Sequence, residues 1–179
     1  LIQKFSLEGL GEAAARLDSK KLDFYNAKRL REMPEPEYLA EAETRLPPGG
    51  EAPWRMKLAK AVRGNLERLA DVPAVSAYFF EEPGYESAEL EKLRAKAETK
   101  PLLEDLALEL EKIQPFENAP VEALCRELPT RRGLKFKDLV HPARFALSGR
   151  PAGPGFFDVV TLRGREKCVQ RLRNFVGLL

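Results

Sequence analysis

The segment from Gly133 to Phe175, GLKFKDLVHPARFALSGRPAGPGFFDVVTLRGREKCVQRLRNF, decides how this chain is read. Two helical patterns flank the run Ser148-Gly149-Arg150-Pro151-Ala152-Gly153-Pro154-Gly155. That run cannot continue a helix, because proline lacks the N–H and glycine favours other backbone angles, so it reads as a presented loop. Lys135, Lys137, Arg144, Arg150, Arg163, Arg165, Lys167, Arg171 and Arg173 stand around it, against Asp138, Asp158 and Glu166. Such an excess of cations suits a polyanion.

Upstream, breakers cut the chain into further helical pieces. Ser19 reads as the cap of a helix in which Leu22, Tyr25, Leu30 and Met33 recur before Pro34. Glu35 to Leu46 follows and ends at Pro47-Pro48-Gly49-Gly50. Pro53 opens a helix with Trp54, Leu58, Val62 and Leu66 on one side, and the rings Tyr78, Phe79 and Phe80 close the next one as core. Ser87 reads as another cap, and Leu102, Leu103, Leu106, Leu108 and Leu110 supply the apolar side of a helix entered at Thr99. Val121, Leu124, Cys125 and Leu128 predict a helix ending before Pro129. The stretch FFDVVTL, Phe156 to Leu162, is β-branched enough to suit a strand, but no alternation with hairpin turns accompanies it. The expected fold is all-α, about ten helices in two sub-bundles, divided into residues 1–114 and 115–179.

Composition narrows the function. At 44% hydrophobic and 32% charged, the chain has the balance of a soluble protein, and no apolar run approaches the roughly 20 residues that span a bilayer. Leu1 to Arg16 lacks a signal-peptide design, and the start at Leu1 reads as a piece of a longer protein. Net charge is +2, yet from Pro115 on twelve Lys and Arg face six Asp and Glu, so the positive charge is concentrated at the C-terminal end. Cys125 and Cys168 read as buried, reduced thiols of a cytoplasmic protein, with a disulfide between them as the alternative, and they lack the ligand spacing of a zinc site. The single histidine, His141, reads as structural or solvent-facing. No catalytic constellation is visible: no Gly-rich phosphate loop, no HEXXH, no nucleophile elbow.

The order of these pieces resembles a known family. Pro142 and Arg144 in a basic helix, then ALSGR, then GPGFFDVV, then GREKCVQRLR, are similar to the C-terminal end of bacterial-type glutamyl-tRNA synthetases. The segment KKLDFYNAKRLREM, Lys20 to Met33, resembles the part of that family that follows its catalytic half; residues 34–117 match only loosely. In that family the segment FFDVVTL is helical. The resemblance implies a helical region on the stem side followed by an anticodon-binding bundle, with tRNA-Glu as partner, tRNA-Gln as a second candidate, and a monomer. It implies ATP and Mg²⁺ for the whole enzyme but none for this chain, which carries neither a HIGH-type nor a KMSKS-type motif and is expected not to aminoacylate by itself.

The same resemblance assigns anticodon contacts to Arg126, Arg144, Gly153 and Phe156, and places Asn65 where the third anticodon base is tested. Arginine suits this work because its planar fork both stacks and hydrogen-bonds. Asparagine carries a donor and an acceptor, so at position 65 it implies weak discrimination and acceptance of tRNA-Gln; Arg63 and Arg68 are the neighbouring alternatives. Arg131, Arg132, Lys135, Lys137 and Arg150 are candidates for backbone phosphates. The ordinary reading of each arginine is an exposed, energetically neutral charge, and that of Phe156 a core ring. A helical protein-interaction scaffold without RNA binding is the alternative function.

Overall fold

Local chemistry sets the helix boundaries in the computed structural model, which describes residues 18–179. The reading of Leu1 to Arg16 lies outside them. The elements are α1 (Ser19–Glu32), α2 (Glu35–Glu43), α3 (Ala52–Val62), α4 (Val72–Ser76), α5 (Ser87–Arg94), α6 (Thr99–Lys112), α7 (Asn118–Thr130), α8 (Phe136–Ser148), α9 (Phe156–Arg163) and α10 (Arg165–Val176). Short 3-10 turns occupy Arg63–Asn65, Leu69–Asp71 and Ala77–Phe79, and no strand occurs among the described residues. The fold is all-α, and the β-branched FFDVVTL is helical as the resemblance implied.

Several local expectations need correction. The cap of α1 is Asp18, whose carboxylate accepts from Lys21 N at 3.2 Å, and Ser19 is the first helical residue. Ser87 likewise lies inside α5, which Glu86 precedes. Helix α7 runs through Pro129 instead of stopping before it. Proline there forfeits one hydrogen bond to the preceding turn, and burial of Leu124, Cys125, Leu128 and Pro129 itself holds the last turn in place. On α6 the buried stripe is Leu102, Leu103, Leu106, Ala107 and Leu110, whereas Leu108 faces away and is 49% exposed.

Helix α6 lies along α10, whose Cys168, Val169, Leu172 and Phe175 are buried. One apolar cluster extends from Leu30 on α1 to Phe175 on α10. The expected division at residues 114 and 115 falls in the irregular segment between α6 and α7, and helices on both sides of it contribute to that cluster. Trp54 Nε1 donates to Leu162 O at 2.6 Å and ties α3 to α9. Asn118, at the start of α7, donates to Asp158 Oδ1 and accepts from Thr161 Oγ1, fixing α9 against α7.

Arginine side chains do much of the remaining joining. Arg171 is 5% exposed; its Nη1 donates to Tyr78 O and Leu147 O, each at 2.9 Å, and its Nη2 to Glu81 O at 2.6 Å. Arg163, 6% exposed, also donates to Tyr78 O. Burial pushes its guanidinium down to about 10, with neighbouring Arg171 acting in the same direction. Arg165 donates to Ile113 O. These three arginines hold the fold together, so the C-terminal excess of cations overstates the charge a polyanion can meet.

Candidate nucleic-acid interface

Helix α8 ends where it does because Gly149 adopts φ 68°, and because a Cβ there would stand 2.3 Å from Gly84 O. Beyond it the chain turns through Arg150 to Gly155 and enters α9 at Phe156. The expectation of a loop merely presented to solvent is corrected by its contacts. Ser148 Oγ donates to Arg144 O at 2.7 Å and accepts from Arg150 N at 3.2 Å. Arg150 Nη2 donates to Ala74 O at 2.9 Å, and Pro154 is buried. The turn is therefore anchored at both ends, with Pro151 and Ala152 exposed at its tip.

Arg144 stands on the last turns of α8, facing this loop. Its Nη1 donates to Pro154 O at 2.6 Å, and its guanidinium carbon lies 5.8 Å from the centre of the Phe156 ring. Among the described residues it makes no ion pair, and burial lowers its affinity for the proton. A half-buried cation without a counter-charge leaves its remaining N–H donors available to an incoming acceptor. Gly153 has φ 153°, and a Cβ there would meet Arg144 Nη1 at 3.9 Å and Tyr78 Oη at 4.0 Å.

Phe156 is 5% exposed and packs edge-on against Phe157 at 5.5 Å, which in turn meets Phe136 at 6.2 Å. Arg126, on the outer face of α7, lies 4.8 Å over the Phe136 ring while its Nε and Nη2 donate to Glu122 Oε1. A row of three rings thus joins the two arginines along one edge formed by α7, α8 and α9. The structure brings Arg144, Gly153 and Phe156 together, although Phe156 is itself core, and connects Arg126 to them only through the intervening rings.

Asn65 stands apart, exposed on the 3-10 turn Arg63–Asn65 beside α1 and α3. Both neighbouring alternatives are occupied. Arg63 donates to Leu30 O, Arg31 O and Met33 O, and Arg68 pairs with Asp23 at 2.6 Å. Of the phosphate candidates, Arg131 pairs with Glu127 at 2.8 Å and Arg132 with Asp105 at 2.7 Å, whereas Lys135, Lys137 and Arg150 are exposed and make no ion pair among the described residues. Lys135 and Lys137 lie near the start of α8, and from Lys135 to Arg144 is about 13 Å of helix axis at roughly 1.5 Å per residue. His141 is half-exposed, 3.5 Å from Glu89. No cluster of three His, Cys, Asp or Glu is placed to hold a metal ion among the described residues, and no helix there is long and apolar enough to cross a membrane.

Reading from residues alone treated Tyr78 as core, and its ring is. What it missed is the hydroxyl, buried and without a hydrogen-bond partner, next to Gly153 and Arg144. The only available signal was a tyrosine where phenylalanine would fill the same space.

The described residues thus form an all-helical bundle with arginines and aromatic rings along one edge, beside a Gly/Pro turn. A family model described as an anticodon binding domain matches residues 24–176, and the chain belongs to that family. It is 30% identical over 185 residues to a glutamate–tRNA ligase of Elusimicrobium minutum, taking in 97% of this chain and 37% of that ligase. A glutamate–tRNA ligase of Moorella thermoacetica is 32% identical over 182 residues, taking in 96% and 37%. The chain therefore spans little more than a third of the length of these relatives. In fold it is similar to a solved glutamate–tRNA ligase from Elizabethkingia meningosepticum, with a TM-score of 0.81 at 21% identity over 98% of this chain and 36% of the ligase.

Proposed function

We propose that this chain is the tRNA anticodon-binding part of a glutamate–tRNA ligase, holding tRNA-Glu while a class I catalytic domain of the same protein glutamylates it. The observation that carries this reading is Arg144: an unpaired, half-buried guanidinium between a Gly/Pro turn and an aromatic ring, in a chain of the anticodon binding family. Anticodon bases are read by splaying them out, stacking them on flat groups and hydrogen-bonding their edges. Arg144 supplies a stacking plane and free donors. Gly153 lets a base approach the backbone, and Phe156 backs the guanidinium. Arg126 reaches the same edge through Phe136 but must share its charge with Glu122. Asn65 is a separate contact, for the third base. Lys135, Lys137 and Arg150 hold backbone phosphates directly; Arg131 and Arg132 do so only in exchange for their carboxylates. ATP and Mg²⁺ would be bound outside this chain, which acts as a monomer.

Mobility shifts with tRNA-Glu, tRNA-Gln and an unrelated RNA over a range of salt test the reading. Expected are binding of both tRNAs in preference to the unrelated RNA, and a log–log loss of affinity of roughly 0.7–0.9 per neutralised phosphate. Rejection of tRNA-Gln would remove Asn65 from the reading. Indifference to every RNA, with capture of a protein partner, would replace it with the scaffold alternative.

A further inference from the structure

Tyr78 carries the only buried side-chain hydroxyl without a hydrogen-bond partner among the described residues. The residue is 5% exposed, its ring stacks on Phe79 at 4.6 Å, and its own carbonyl is held by Arg163 and Arg171. Backbone and ring are thus fixed while the hydroxyl donates to nothing. Burying a hydroxyl in this way costs free energy unless a partner arrives. The place from which a partner would arrive is defined by Gly153. The space its missing side chain leaves is flanked by Tyr78 Oη and by Arg144 Nη1, 4.0 and 3.9 Å from where a Cβ would stand. The two donors come from different elements, the Ala77–Phe79 turn and α8, and both stand beside Gly153.

We propose that Tyr78 is a specificity-determining residue of the interface, its hydroxyl and Arg144 together receiving a carbonyl oxygen on the edge of one splayed anticodon base at Gly153. The proposal rests on the anticodon-binding reading above. An oxygen at this point accepts from both groups, whereas an amino group there can donate to the Tyr78 hydroxyl but meets in Arg144 a group with no acceptor and leaves that donor unpaired. The carbonyl-bearing base is preferred for that reason.

The test compares this chain with its Tyr78→Phe and Arg144→Ala variants, using synthetic RNA hairpins that carry a glutamate anticodon loop or a replacement at one anticodon base. Tyr78→Phe removes only the orphaned hydroxyl. The free variant is expected to melt at the same temperature or higher, to bind the matched hairpin roughly three- to tenfold more weakly, and to lose its preference at a single base. A hydroxyl serving only the fold would give the reverse pattern, lowered stability with unchanged binding, and that would overturn the proposal. If Arg144→Ala weakens the matched hairpin while Tyr78→Phe keeps full affinity and preference, Tyr78 has no part and the anticodon reading survives. If the unmodified chain distinguishes none of the hairpins, the anticodon reading itself falls and takes this proposal with it.

Discussion

The arginines of this chain separate into kinds that share a charge and differ in what their donors meet. Arg163 donates to one backbone carbonyl inside the fold, Arg171 to three of them and to Glu82, Arg131 and Arg132 to carboxylates at the surface, and Arg144 to Pro154 O alone. Exposed pairs such as Arg131 with Glu127 contribute little to stability and are easily exchanged for phosphate. Arg144 is different because it is half-buried and already oriented, so less side-chain entropy is lost when it binds. Replacing Arg144 with alanine should cost about 1–3 kcal/mol of RNA binding and change its dependence on anticodon sequence. Lys137→Ala should weaken binding of all sequences alike and lower the salt slope by about one. Titrations with matched and altered anticodons separate the two, and an equal loss for every RNA on Arg144→Ala would make that residue a phosphate clamp.

At the scale of the element, α1 is a long helix held by little apolar burial. It buries Ala27 and Leu30 and leaves Leu22, Phe24 and Tyr25 exposed. What fastens its end is Arg63, which donates to three carbonyls of the last turn and its exit while lying 4.7 Å over the Tyr38 ring. Terminal carbonyls of a helix have no partners within it, and a cation there also meets the negative end of the helix dipole. Arg63→Ala is therefore expected to cost about 2 kcal/mol, as hydrogen bonds from a charged group do. The loss should be local: amide exchange within Ser19–Glu32 should speed up while α6 and α10 keep their protection. Uniform exchange throughout would show that Arg63 stabilises the whole molecule instead.

For the molecule as a whole, Cys125 and Cys168 report on the shared core, since both are free and buried. Burial pushes each thiol from 9.0 up to about 12, with nearby Glu122 adding to the effect at Cys125. Between those values the unfolded chain releases protons that the folded one keeps, so stability should fall as pH rises from about 9 to about 12. At neutral pH a thiol reagent should label neither cysteine until urea unfolds the protein, and labelling of either one ahead of the unfolding transition would show that its helix opens separately. Much of this architecture was legible in the residues. Glycines, prolines and apolar spacing act within a few positions of themselves, so they determined that the chain is helical and that a turn follows Ser148. Pro129 misled only because tertiary burial outweighs one lost hydrogen bond. Even Arg171 carried a signal, falling on the same helical stripe as Cys168, Leu172 and Phe175. Its partner did not, because Tyr78 lies 93 positions away and nothing local marks which carbonyl will stand opposite. Sequence by itself thus determined the helices, their breaks and the side of the chain where cations gather. Only the tertiary structure decided which cations remain free, since that depends on the carbonyls and carboxylates that distant segments bring within hydrogen-bonding reach.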